Sequence, residues 1–292
     1  MAITAALVKE LRGRTGAGMM DCKKALTEAN GDMEAAIDLM RTSGAAKAAK
    51  KSGRVAAEGL VKVNISDDNK TATILEINSE TDFVTKGDAF IGFVDTLGAL
   101  ALKTTPANID EFLTQTLDNG DSLEKSREDI VAKVGENVSI RRVQTVQTDN
   151  GIIGAYKHGE RIAVLTLLEG GDEALAKDIA MHIAATKPEC ITEEELPADL
   201  LEREKAIFVE QARESGKPDN IIEKMIVGRM KKFVNEVTLY GQAFVKDPDT
   251  TVGALAKSNG AQVKSFVRFE VGEGIEKKEE NFADEVAAQI KS

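Results

Sequence analysis

Apolar residues in the first 42 positions fall at helical spacing in three short bursts. Ile3, Leu7, Val8 and Leu11 make the first, and the run Arg12-Gly-Arg-Thr-Gly-Ala-Gly18 breaks it. Met19, Met20, Cys22, Leu26 and Ala29 mark a second helix, closed by Asn30-Gly31. Asp32 is placed to cap a third, with Met33, Ala36, Ile37 and Met40 along one side. The pattern then shifts to that of strands. Glu58-Gly-Leu-Val-Lys-Val-Asn-Ile65, a turn at Asp67-Asp-Asn-Lys70 and a return from Ala72 to Ile77 predict a hairpin. A helix carrying Phe83, Phe90, Val94 and Leu97 follows, and a late strand opens at Asn137.

The same order then recurs. Asn150 to Tyr156 and Ile162 to Leu168 flank a turn at Lys157-His-Gly-Glu160; a helix spans about Asp172 to Ala185, and a late strand opens at Gln262. Each copy is a hairpin, a helix and a third strand, which is a small antiparallel-sheet unit. A helical insertion from about Thr192 to Tyr240 interrupts the second copy. Leu201, Lys205, Phe208, Ala212 and Ser215 step along its first helix, and Ile222, Ile226, Arg229, Phe233 and Val237 along its second. Gly216 is expected to cap the first helix and Pro218 to lie early in the second. Phe282, Val286 and Ile290 put an apolar side on an acidic helix at the C-terminal end, a candidate clasp for a partner.

The expected fold class is α+β. A three-helix bundle that resembles ubiquitin-associated domains occupies residues 1–55 together with a basic linker. Two pseudo-repeated antiparallel-sheet/helix subdomains follow, at 56–143 and at 144–190 continued by 239–273. The inserted helical hairpin spans 191–238 and a C-terminal helical module 274–292. A bundle as small as the first has a marginal core and often serves as a docking module.

Charge and composition narrow the function classes. Lys and Arg number 38 against 49 Asp and Glu, a net charge of −11 that opposes phosphate-driven nucleic-acid binding. Arg41 to Arg54 carries five basic residues and no acid, but no aromatic for base stacking, and it reads as a solvated helical linker. No run of 18 apolar residues occurs and the first residues lack a signal-peptide pattern, so no membrane partner is expected. Cys22 and Cys190 stand far apart and suit a reducing, cytoplasmic setting. They make no metal pattern with His158 and His182, and no phosphate-cradling loop or nucleophile motif is present. No cofactor, metal or catalytic residue is therefore assigned. His182 reads as a core histidine, whereas His158 falls at a hairpin turn where a partner could touch it.

The segment Glu76-Ile-Asn-Ser-Glu-Thr-Asp-Phe-Val84 is the most informative. A mostly buried strand stops at five polar or turn-prone residues, and Thr81 or Asp82 is placed to cap the next helix. Phe83 thus lies at a strand-to-helix corner beside a carboxylate. Two readings are open: a hydrophobic staple folded onto its own core, or a ring held out toward a partner.

This segment, together with Leu11-Arg-Gly-Arg-Thr-Gly-Ala-Gly-Met-Met-Asp-Cys-Lys-Lys-Ala-Leu26, resembles the two signatures of the bacterial translation elongation factor Ts family. His158-Gly, Gly241-Gln-Ala-Phe and Phe269-Glu-Val-Gly-Glu-Gly-Ile extend the resemblance along the chain. One departure is local: Thr-Lys-Gly follows Val84, where the family more often has a small residue, a basic residue and Asn. The resemblance implies a guanine-nucleotide exchange factor that binds elongation factor Tu with GDP and displaces its Mg²⁺. It implies that Thr81, Asp82, Phe83 and Val84 enter beside the partner's magnesium site, and that Met19, Met20 and His158 make further contacts with the partner. A non-catalytic docking module is the alternative. The helical hairpin leaves a homodimer or a two-to-two complex open.

Overall fold

The computed structural model describes residues 3–15, 17–214 and 218–276. The chain divides into two compact units. One comprises Met1–Asn64, Thr73–Thr145 and Glu270–Ser292, the other Ile65–Ala72 and Val146–Phe269.

The first unit opens with helices α1 (Ala5–Thr15), α2 (Met19–Glu28) and α3 (Met33–Lys51). Val8, Leu11, Cys22, Ala25, Leu26 and Ala36 bury together as their small core. Asn30 and Gly31 take left-handed conformations, and the Gly31 N–H returns to the Leu26 carbonyl at 2.8 Å, which ends α2 as its sequence suggests. Asp32 caps α3 by accepting the Ala35 N–H at 2.9 Å. The third helix is longer than the bundle needs. It runs through the basic stretch, and Ala48 is fully buried in the core that also holds Ile130 and Val131. One side of the stretch read as a solvated linker is thus packed. Alanine lets the backbone approach closely, while the lysines keep their charge in water.

Strands β1 (Glu58–Ile65), β2 (Thr71–Ser79) and β3 (Val138–Gln147) form a three-stranded sheet in that order. Helices α4 (Asp82–Thr85), α5 (Asp88–Thr104), α6 (Ile109–Leu113) and α7 (Leu123–Val134) lie between β2 and β3 in the chain. Phe90, Val94, Leu97 and Ala101 of α5 join Leu60, Leu75 and Ile77 of the sheet in the main core. Each of these buried side chains larger than alanine contributes about 1.5–3 kcal/mol. The expected single helix is in fact two. Gly87 separates α4 from α5 and sits at the N-cap of the latter, so Phe83 falls off the stripe that begins at Phe90.

The second unit repeats the plan. Strands β4 (Ile152–His158) and β5 (Ile162–Glu169) pair antiparallel from Ile152 opposite Leu168 to His158 opposite Ile162. They are followed by helices α8 (Glu173–Thr186), α9 (Ala198–Glu214) and α10 (Asp219–Val237). A short hairpin of β6 (Ala243–Phe244) and β7 (Asp247–Thr251), helix α11 (Val252–Ser258) and strand β8 (Gln262–Glu270) complete it, with β8 beside β5. Helix α8 buries Ala176, Ile179, Ala180 and Ile183 against Val164 and Leu168. It lies so near β4 that a Cβ on Gly154 would fall 2.4 Å from the Ala176 carbonyl carbon. The repeat extends to the helix ends. Both α5 and α8 stop at a left-handed residue just before a proline, Thr105-Pro106 and Lys187-Pro188.

Helices α9 and α10 pair as expected: Phe208 meets Phe233 edge-on at 6.4 Å, and the Arg229 guanidinium lies 5.9 Å from the Phe208 ring centre. Ala212, Ile222 and Val234 are buried, whereas Lys205 of the proposed stripe is exposed. Pro218 stands at the N-cap of α10. Gly216 and the helix expected around Phe282 to Ile290 lie outside the described residues.

Candidate functional site

Phe83 is 81% exposed, so it is not a staple on its own core. Its neighbours explain why it stays out. Val84 packs on the main core and Thr85 is buried, with the Thr85 hydroxyl donating to the Asp82 carbonyl at 2.8 Å. On so short a helix, turning those two side chains inward turns Phe83 away. Asp82 forms an ion pair with Lys86 at 2.6 Å, and the Lys86 ammonium lies 5.9 Å from the centre of the Phe83 ring. Asp82, Phe83 and Lys86 together make a charged and aromatic tip on a packed base.

Thr81 occupies the N-cap of α4 but its side chain does not cap. Instead both its donors go to one carboxylate. The Thr81 N–H donates to Glu136 Oε2 at 2.9 Å and the Thr81 hydroxyl to Glu136 Oε1 at 2.6 Å. The reverse grip comes from Glu80, whose Oε1 accepts the Asn137 N–H at 2.6 Å. The turn between α7 and β3 and the corner between β2 and α4 are therefore bonded to each other in both directions. A sequence reading misses this, because Glu80 and Asn137 are separated by 57 positions and Thr81 and Glu136 by 55.

A second network lies beneath the corner. The Glu76 side chain is fully buried, and its Oε1 accepts from Arg141 at 3.0 Å, Asn78 at 3.0 Å and the Gly272 N–H at 2.8 Å. Its Oε2 accepts from Arg142 Nε. Arg142 also reaches the Glu270 carbonyl at 3.0 Å, and Arg141 the Glu273 carbonyl. A buried carboxylate is tolerated only with such partners, and here it ties β2 and β3 to the chain segment after β8. The one sequence signal is a glutamate set between Leu75 and Ile77 in a buried strand.

The remaining candidates stand apart from the corner in sequence and element. Met19 and Met20, at the first turn of α2, are 44% and 76% exposed, while Cys22, Ala25 and Leu26 turn inward. Two adjacent exposed methionines offer an adaptable apolar surface. His158, in the second unit, is exposed at the last position of β4 rather than within the turn, which consists of residues 159–161. Its Nδ1 lies 3.3 Å from the Tyr156 hydroxyl. His182 is buried as expected: its Nδ1 accepts the Val245 N–H at 3.3 Å and its Nε2 lies 2.9 Å from Gln242 Oε1. Burial holds its pKa below the usual histidine value, against a smaller opposing effect of the Gln242 hydrogen bond. Among the described residues, no helix is long and apolar enough to cross a membrane.

The family model described as "Elongation factor TS" matches residues 80–273, which opens at the glutamate of the Glu80–Asn137 grip. The chain belongs to the elongation factor TS family. Three relatives named elongation factor Ts extend the match over the N-terminal bundle. The protein from Ruthia magnifica subsp. Calyptogena magnifica is 82% identical over 99% of this chain and 98% of its own length. That from Vesicomyosocius okutanii subsp. Calyptogena okutanii is 72% identical over 99% of this chain and all of its own. That from Alkalilimnicola ehrlichii is 57% identical over the whole chain and 99% of its own length. As a member of the elongation factor TS family, the chain is a translation elongation factor acting in protein biosynthesis.

Proposed function

We propose that this chain is a guanine-nucleotide exchange factor for elongation factor Tu. It binds the GDP-bound partner and speeds GDP release by disturbing the Mg²⁺ site, and it has no active-site chemistry of its own. Thr81, Asp82, Phe83 and Val84 form the wedge; Met19, Met20 and His158 supply further contacts, and the reaction takes place in the cytoplasm. The observation that carries this reading is Phe83, an apolar ring 81% exposed on a helix whose next two side chains are packed down.

In a nucleotide-binding partner, GDP is held by backbone amides, a lysine and Mg²⁺ at its phosphates. A ring driven between the elements that support the metal withdraws its ligands, and the phosphates lose their neutralising charge. Linkage makes the effect mutual: whatever weakens nucleotide on the complex weakens the factor by the same amount, so GTP can later expel it. A thousand-fold weakening of nucleotide requires about 4 kcal/mol of coupling. Burying one phenylalanine contributes about 1.5–3 kcal/mol. Contacts from more than one element must therefore hold the factor in place while Phe83 distorts the partner.

The test is release of a fluorescent GDP from elongation factor Tu at fixed Mg²⁺, with and without the chain. Acceleration at substoichiometric amounts is the expected result. A stable complex with unchanged release overturns the exchange reading and leaves a docking protein.

A further inference from the structure

The turn Gly135–Asn137, between α7 and β3, is bonded on one side to the end of the bundle and on the other to the Phe83 corner. Toward the bundle, the Gly135 carbonyl accepts Lys51 Nζ at the end of α3. The Asn137 amide donates to the Arg54 carbonyl at 2.8 Å and to the Ser52 carbonyl at 3.4 Å. Toward the corner, Glu136 takes both donors of Thr81, and the Asn137 N–H goes to Glu80. Arg54 closes the loop by reaching Glu80 at 3.5 Å. All of these residues belong to the first unit.

We infer that Glu136 is a positioning residue for the exchange reaction, and that the Gly135–Asn137 turn fixes the direction of Phe83 relative to the bundle that carries Met19 and Met20. The inference rests on the exchange-factor reading above. Helix α4 has four residues and no side-chain cap, so it has little stability of its own with which to resist a load. Thr81 enters it in an extended conformation, φ −125° and ψ 158°, a natural point for the corner to pivot. The Glu136 carboxylate holds the pivot residue itself, by its N–H and its hydroxyl, with charge-assisted hydrogen bonds, which are among the stronger polar contacts available. Glu136 in turn stands between α7, which ends at left-handed Gly135, and the first strand residue, Val138. A push on the ring is thereby passed to the body of the unit. Without the grip the ring still finds the partner, but it yields instead of displacing it. The signature is a loss of maximal exchange rate with little change in the concentration needed for half-maximal exchange.

The experiment measures GDP release from elongation factor Tu, as a function of factor concentration, for the full chain and for Glu136→Ala, Phe83→Ala and the double variant. Thermal unfolding of each checks the fold. Glu136→Ala is expected to lower the maximal rate about tenfold while half-saturation moves by less than about twofold. The double variant is expected to be no slower than Phe83→Ala, because Glu136 acts through the ring. Glu136→Gln, which keeps one acceptor for Thr81, is expected to recover part of the rate and carries the test if the alanine variant does not fold. An unchanged maximal rate, a shift in half-saturation alone, or a full tenfold loss on top of Phe83→Ala overturns the inference. Normal exchange by Phe83→Ala alone overturns the wedge reading itself, which is a separate outcome.

Discussion

On the proposed wedge reading, Phe83→Ala is expected to separate folding from exchange. With 81% of the residue already exposed, folding gains little from it, about a fifth of the 1.5–3 kcal/mol that full burial of a phenylalanine contributes. The Lys86 ammonium over the ring adds about 0.5 kcal/mol at such an exposed site. Loss of both changes stability by about 1 kcal/mol or less. Against a partner, burial of the remaining four fifths of the ring is worth about 1.2–2.4 kcal/mol, or roughly ten- to fifty-fold in rate where that contact forms only as the magnesium site opens.

The variant should therefore unfold in urea at nearly the wild-type midpoint and still bind elongation factor Tu, yet release GDP at least about tenfold more slowly at saturation. Stopped-flow release, equilibrium binding and chemical unfolding give the three numbers. Wild-type exchange by a folded variant refutes the reasoning. A large fall in stability refutes it too, because the ring would then be part of the core.

Two further predictions concern the scaffold. Glu76→Gln leaves two guanidinium groups facing an amide in place of a carboxylate, and should cost about 2–3 kcal/mol of unfolding free energy, less than a fully buried pair because Arg141 and Arg142 are partly exposed; a change within about 0.5 kcal/mol by urea titration refutes the assignment. For His182 the folded-state pKa lies below the unfolded value of about 6.5, so the unfolded chain binds the proton first and stability falls as pH drops below about 6.5. The slope is at most one proton's worth, about 1.4 kcal/mol per pH unit, and His182→Gln should flatten it between about pH 6.5 and 5.

The repeat was legible because it is written in local pattern. Ile74-Leu75-Glu76-Ile77 and Val164-Leu165-Thr166-Leu167 stand at matching places in β2 and β5, and each four-residue run carries one buried polar residue among apolar ones. What the pattern does not carry is the partner of each polar group. Thr166 bonds to the Ala176 carbonyl at 3.0 Å, ten positions on, while Glu76 finds Gly272 across 196, each within its own unit. The Phe83 corner was visible as a strand-to-helix turn, but periodicity ran its helix straight into Phe90. Lys86-Gly87 broke that run, and the break decides which way the ring faces. Stripes in α9 and α10 were legible for the same reason as the repeat, since a helical hairpin is held together by its own neighbours in sequence.

An exposed ring cannot anchor itself by its own burial, so the rigidity of the corner must come from the residues around it. Of the contacts there, the Asp82–Lys86 pair is exposed at both ends and contributes about 0–1 kcal/mol. Lys86 over the ring is similarly weak, and a partner can displace it at little cost. Neither is a lock, which leaves Phe83 available. Below them, Val84 and Thr85 fix where the short helix sits, but both lie on the far side of Phe83 from the Thr81 pivot. On the near side, Glu136 takes both donors of Thr81 in two partly buried bonds, beside the Glu80–Asn137 grip and the Ser79 hydroxyl, which donates to the Thr81 carbonyl at 3.0 Å. The corner thus combines a ring that is weakly held with a base that is firmly held. That is the arrangement the proposed wedge requires: an apolar tip that can transfer to a partner without loss to its own fold, and a charge-assisted grip that can keep the tip from giving way.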